Sequence, residues 1–91
     1  MIPYSRQNIN NEDIESVIDV LNSDYITQGH IINKFEDAVA KKVNSSYSFA
    51  MNSATSALHI SCLALGLGTD DILWTVPNSF VASANCGLYC G

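Results

Sequence analysis

Apolar residues fall at i, i+3, i+4 and i+7 between Asn11 and Leu21, at Ile14, Val17, Ile18 and Leu21, with polar residues between them. That spacing predicts an amphipathic helix, which Asn11 can cap and whose positive N-terminal end suits Glu12 and Asp13. Asn22-Ser23-Asp24 breaks the pattern. It leads into Tyr25-Ile26-Thr27-Gln28-Gly29, a β-leaning run read as an ordered loop closed by a glycine able to take positive φ. Helical spacing returns with Ile32, Phe35, Ala38 or Val39, and Val43, while Lys34, Glu36, Lys41 and Lys42 occupy other faces. A second amphipathic helix is expected.

After Asn44-Ser45-Ser46 the period changes. Tyr47-Ser48-Phe49-Ala50-Met51 is short and uncharged, as a buried strand would be, and it ends at Asn52-Ser53-Ala54-Thr55. Ala57, Leu58, Cys62 and Leu65 then make a helical stripe across Ala54–Leu65, with Gly66 where a helix C-terminus prefers glycine. Ile72-Leu73-Trp74-Thr75-Val76 repeats the strand signature, Pro77 stops it, and a further helix is expected from Ser79 to Tyr89. The order α, α, β-α-β-α predicts an α/β fold with parallel strands, and such sheets are covered by helices on both faces. Two strands make only an incomplete parallel sheet, so the chain reads as truncated, with open edges and apolar helix faces that invite association.

Composition narrows the classes. Ninety-one residues allow one small domain, and 47% hydrophobic against 14% charged residues is too apolar for a disordered chain. A net charge of −5 argues against nucleic acid as a partner, because binding to a phosphate backbone needs clustered cations. Cys62, Cys86 and Cys90 make neither an even framework nor a Cys-x-x-Cys pair, which suits a reducing compartment. No stretch reads as a leader or a membrane span.

One segment can carry chemistry. Asn52-Ser53-Ala54-Thr55-Ser56 leaves the first expected strand and opens a helix, so free backbone N–H groups and small hydroxyl side chains converge where an anion is favoured. The same residues equally describe an ordinary N-cap, the commoner use of such a sequence. The glycine-rich cradles of dinucleotides and nucleoside triphosphates are absent, so a phosphate group here calls for a different cofactor. Trp74-Thr75-Val76-Pro77-Asn78-Ser79-Phe80 brings aromatic rings to the carboxyl edge of the expected sheet, where ligands of open α/β sheets bind. Phe80 can cover a flat ring there or pack under the next helix.

Thr27-Gln28-Gly29, Phe35-Glu36, Asn52-Ser53-Ala54-Thr55-Ser56-Ala57-Leu58 and Trp74-Thr75-x-Pro77-x-Ser79-Phe80-Val81-Ala82 together resemble the DegT/StrS-type sugar aminotransferases over essentially the whole chain. The resemblance implies a fold-type-I, pyridoxal-phosphate-dependent enzyme of the cytoplasm, homodimeric, acting on a UDP-linked keto sugar with glutamate as amino donor. Residues 1–46 would form a helical arm and 47–91 the start of the cofactor domain. Tyr4-Ser5, Leu21-Asn22-Ser23 and Ala84-Asn85-Cys86-x-Leu88-Tyr89-Cys90-Gly91 point to a branch that works on 4-keto-6-deoxy amino sugars in pseudaminic-acid synthesis. By the same resemblance Ala54 and Thr55 would hold the cofactor phosphate and Phe80 would stack on the pyridine ring. Tyr4, Asp24, Tyr25, Ile26, Thr27 and Ala54 would face the sugar nucleotide.

That chemistry requires a Schiff-base lysine and an acidic partner for the pyridinium nitrogen. Neither is identifiable. Lys34, Lys41 and Lys42 all fall on the second helix, where a solvated face explains them, so no catalytic residue is assigned. His59 sits mid-helix without a spaced partner, His30 caps or flanks, and Cys86 and Cys90, one turn apart, read as buried thiols and not as metal ligands. Asp70 stands where the family commonly has glycine before Asp71, and Gly87 replaces a helix-favouring small residue; each costs up to about 1 kcal/mol. The rival reading is a non-catalytic remnant or a small interaction module needing a partner chain.

Overall fold

The computed structural model describes residues 2–91, which divide into two compact units, one running to Ala50 and one from Met51 to Gly91. Each unit holds two helices. The first contains α1 (Asn11–Leu21) and α2 (His30–Lys42), the second α3 (Ala54–Ala64) and α4 (Ala82–Leu88).

In the first unit α1 is capped by Asn10, one residue before the Asn11 that the sequence suggested. Either asparagine could cap, and the residue three positions on decides between them: Asn10 has Asp13 there, Asn11 has Ile14. The resulting capping box joins the Asp13 N–H to Asn10 Oδ1 at 3.1 Å and the Asn10 N–H to Asp13 Oδ2 at 2.9 Å. The turn before α2 also differs from expectation. Gly29, the N-cap, has an extended backbone at φ −79°, and the positive φ belongs to Gln28 at 55°. Gly29 is glycine for a different reason: a Cβ would stand 3.2 Å from Tyr25 Cβ and 3.3 Å from its carbonyl oxygen. At its other end α2 has Lys41 and Lys42 in the last turn, which suits the negative end of the helix. The Ser45 N–H reaches back to the Ala40 carbonyl at 2.9 Å across Asn44, left-handed at φ 53°.

The second unit opens with Ser53 capping α3, its hydroxyl accepting from the Ser56 N–H at 3.1 Å. Gly66 takes φ 75° just past the helix, and the Leu67 N–H closes the end on the Cys62 carbonyl at 3.0 Å, the glycine stop expected from sequence. In the following turn the Gly68 N–H donates to Asp71 Oδ2 at 2.9 Å, and Asp70 sits at φ 71°, in the conformation glycine would adopt without strain. The last helix starts at Ala82, later than Ser79, because 77–79 form a bend that begins at Pro77. Helices α3 and α4 pack on each other, and Cys62, Ala82 and Cys86 are the buried residues.

Neither 47–51 nor 72–76 forms a strand, and no strand occurs among the described residues, so the expected sheet is replaced by irregular segments. A strand exists only as part of a hydrogen-bonded ladder, and two short parallel segments do not make a stable sheet unaided. Their groups find other partners. The Ala50 N–H donates to Glu36 Oε1 on α2 at 2.7 Å. Leu73 lies over Gly87 of α4, where an added Cβ would come within 3.0 Å of Leu73 Cδ2. No helix among the described residues is long and apolar enough to cross a membrane.

Candidate functional site

The first turn of α3 leaves backbone N–H groups at a positive helix end. The cap itself is satisfied: Ser53 Oγ takes the Ser56 N–H and lies 3.0 Å from Ser56 Oγ, which donates to Asn52 Oδ1 at 2.8 Å. The Ala57 N–H begins the helical ladder on the Ser53 carbonyl at 3.1 Å. The N–H groups of Ala54 and Thr55 enter none of these bonds, nor does the hydroxyl of half-buried Thr55. Ser53 therefore caps, the commoner use of the sequence, and the N–H groups left at the positive end of the dipole are those of Ala54 and Thr55.

Phe80 lies between the 77–79 bend and α4 and is 75% exposed, so it does not pack as a core residue. It lines an open cavity of about 480 Å³ with Val76, Pro77, Val81 and Ala84; Ala54 and Thr55 are not among the lining residues. Trp74 is still more exposed, at 90%. Tyr4, Tyr25 and Ile26 are exposed in the first unit, and Asp24 to Thr27 form the connector between α1 and α2, which Ser23 braces by accepting the Tyr25 N–H and donating to the Val20 carbonyl. Lys34, Lys41 and Lys42 stand exposed on α2.

Cys86 is buried, as its sequence suggested, whereas Cys90 is only half-buried because it lies past the end of α4; what sequence reading missed is the pairing across the α3–α4 contact. His59 meets Tyr89 edge to face, ring centroids 5.3 Å apart, which gives the half-buried histidine an aromatic partner. One turn away lie Cys62, after His59, and Cys86, before Tyr89, and burial followed by the neighbouring Cys86 and Cys90 thiols pushes the Cys62 thiol up from its ordinary range. The i,i+3 spacings His59/Cys62 and Cys86/Tyr89 carried that signal, but only pairing the two helices makes it legible.

Residues 7–91 match the DegT/DnrJ/EryC1/StrS aminotransferase family. Among curated relatives, the chain is 38% identical over all 91 residues to the UDP-4-amino-4,6-dideoxy-N-acetyl-beta-L-altrosamine transaminase of Campylobacter jejuni, covering 24% of that protein. It is 38% identical over 84 residues, 92% of the chain, to an uncharacterized protein of Methanocaldococcus jannaschii, covering 22% of that protein. A third relative is the spore coat polysaccharide biosynthesis protein SpsC of Bacillus subtilis, 33% identical over 99% of the chain and covered to 23%. The chain thus spans about a quarter of the length of the curated relatives it matches. No solved structure matches it significantly.

Proposed function

Because the chain belongs to the DegT/DnrJ/EryC1/StrS aminotransferase family, we propose that it forms the amino-terminal region of a pyridoxal-phosphate-dependent sugar aminotransferase. The substrate is a UDP-linked 4-keto-6-deoxy amino sugar, the amino donor is glutamate, and the setting is pseudaminic-acid synthesis in the cytoplasm. The observation that carries this reading is the first turn of α3. Two unspent N–H groups and a free threonine hydroxyl sit at a positive helix end, inside a sequence aligned throughout with a sugar-nucleotide transaminase.

Residues 1–46 are the helical arm and 47–91 the start of the cofactor domain of a fold-type-I enzyme, whose parallel sheet takes 47–51 and 72–76 as strands. When bound, pyridoxal phosphate supplies an electron sink at the substrate's amine-bearing carbon. The residues here do the holding. Ala54 and Thr55 donate to the phosphate through backbone N–H groups and the Thr55 hydroxyl, and Phe80 offers its exposed ring as a stacking face. Tyr4 and Asp24 to Thr27 bind the sugar nucleotide, with Ala54 close to it. The covalent lysine is none of Lys34, Lys41 and Lys42, and the working enzyme is a homodimer.

The test joins this chain to the remaining residues of the Campylobacter relative and measures cofactor binding by equilibrium dialysis. Thr55→Ala removes a hydrogen bond to a charged phosphate, worth about 1.5–3 kcal/mol, so affinity falls roughly ten- to a hundredfold. Phe80→Ala shifts the visible spectrum of the bound cofactor and slows turnover at saturation, because ring orientation governs alignment of the substrate proton. Unchanged affinity and spectrum in both variants overturn the site assignment.

A further inference from the structure

Residues 72–76 run without turn or bend, and their surroundings alternate. Leu73 lies over Gly87 of α4 at 39% exposure, and Thr75 shares an open cavity with Leu73, Ala84 and Gly87. Ile72, Trp74 and Val76 stand 80%, 90% and 65% exposed. That is the period of a strand backed by a helix on one face. Its backbone is unspent: no N–H or carbonyl of 72–76 enters a hydrogen bond among the described residues. We propose that 72–76 pairs edge to edge with the same segment of a second copy of this chain, as an antiparallel ribbon centred on Trp74.

Hydrogen bonding selects the edge. In an antiparallel strand alternate residues present their N–H and C=O groups to the same side. The side carrying Ile72, Trp74 and Val76 has all its groups free. The other is interrupted at both ends, because the Asp71 N–H already donates to the Gly68 carbonyl at 3.2 Å and Pro77 has no N–H. One edge pairs and the other does not, which closes the assembly at two chains. Charge sets the direction. A parallel in-register pair would stack Asp70 and Asp71 on their copies, whereas the antiparallel pair carries them to opposite ends, beside the partner's Asn78 and the partner's Pro77. Side chains match in the same register: Trp74 meets its own copy, Ile72 the partner's Val76, and Leu73 the partner's Thr75. Helix α4 behind each strand supplies the support that an isolated pair of strands lacks. The pairing goes beyond the enzyme reading, in which strands of the same molecule would occupy these edges, and its test reads nothing of cofactor binding.

The chain, kept reduced, is followed by sedimentation equilibrium and amide I infrared absorption over a range of concentrations. The expected result is a monomer–dimer equilibrium whose dimer gains antiparallel-strand absorption. Trp74→Glu and Trp74→Lys each set like charges opposite one another across the two-fold axis and weaken association by roughly tenfold or more. An equimolar mixture of the two variants restores it, because glutamate then faces lysine. If either variant loses the helical circular dichroism of the parent, the same logic is read at the flanking pair: Ile72→Glu with Val76→Lys in one chain associates with itself, and Ile72→Glu with Val76→Glu does not. A strictly monomeric parent chain, an open series of larger species, a dimer without the strand absorption, undiminished association of the like-charged variants, or no recovery on matching the charges overturns the proposal.

Discussion

The two units show how differently four helices can be held. Every described residue up to Ala50 is exposed or half-exposed, and α1 and α2 stand on local devices: the Asn10–Asp13 box, the Asn44 turn, and the Glu36 bond to Ala50. The unit from Met51 adds tertiary packing, with Cys62, Ala82 and Cys86 buried between α3 and α4. Local hydrogen bonds are worth about 1 kcal/mol each, and burial of apolar area is what usually tips a domain toward folding. Large apolar side chains stay exposed in both units, Ile14, Ile18 and Phe35 in the first and Leu63, Trp74 and Phe80 in the second. In the proposed enzyme these are surfaces to be covered. The difference between the units is therefore where the core begins.

The strongest way to break that comparison is Ala82→Asp. Position 82 is 5% exposed in the α3–α4 contact, and an unpaired carboxylate there costs roughly 3 kcal/mol or more. Amide hydrogen exchange should show protection lost across α3 and α4 and unchanged in α1 and α2. Loss spread evenly over all four helices would mean that the second unit's core supports the first as well.

Much of this was legible in the sequence, and the failures have two causes, local competition and dependence on distant neighbours. Helices show through local periodicity and end signals, so all four were found, with Gly66 as a stop and Asp70 as a strained position where glycine belongs. The cap of α1 was misplaced by one residue because two asparagines compete and the acid three residues on decides. The strand runs 47–51 and 72–76 were read from composition, whereas a strand is completed by neighbours that composition does not supply. At the candidate site, the cap and the spare N–H groups of Asn52–Ser56 follow from local rules. The exposure of Phe80 and the His59–Tyr89 contact depend on packing between distant segments.

Removing a cap sharpens the comparison with a smaller perturbation. Asn10→Ala and Ser53→Ala each delete a side-chain acceptor for a helix N–H, at a cost of about 1 kcal/mol apiece. The same loss should have unequal consequences. With no buried residue to hold it, α1 should lose a measurable share of its helicity by residue-resolved chemical shifts, whereas α3, packed on α4, should fray only at its first turn. Equal fraying in the two variants would contradict the distinction between locally and tertiarily held helices.

Asp70→Gly acts within the packed unit alone. Asp70 at φ 71° carries left-handed strain that glycine relieves, while the Asp71 carboxylate on the Gly68 N–H keeps the turn closed. Aspartate tolerates this region better than most residues, and glycine adds entropy to the unfolded chain, so the gain is held to about 0.5–1 kcal/mol. It should appear as a raised midpoint for α3–α4 unfolding in urea with α1 and α2 unaffected.

Gly87→Ala is the finest probe, because two opposing effects of similar size meet at one atom. Alanine in place of glycine inside α4 should gain about 0.8–1 kcal/mol of helix propensity. The new Cβ would stand 3.0 Å from Leu73 Cδ2, closer than carbon atoms tolerate, and 3.6 Å from Leu67 Cδ2. Leu73 is 39% exposed, so the end of its side chain has room to swing toward solvent and give up part of its contact with α4. The expected net is a stabilisation of at most about 0.5 kcal/mol, below the propensity gain, read from the same urea midpoint. In the double variant with Leu73→Ala the clash is absent, so the full propensity gain should return. If Gly87→Ala destabilises both alone and beside Leu73→Ala, close backbone packing against α4 and not the Leu73 side chain is what requires the glycine.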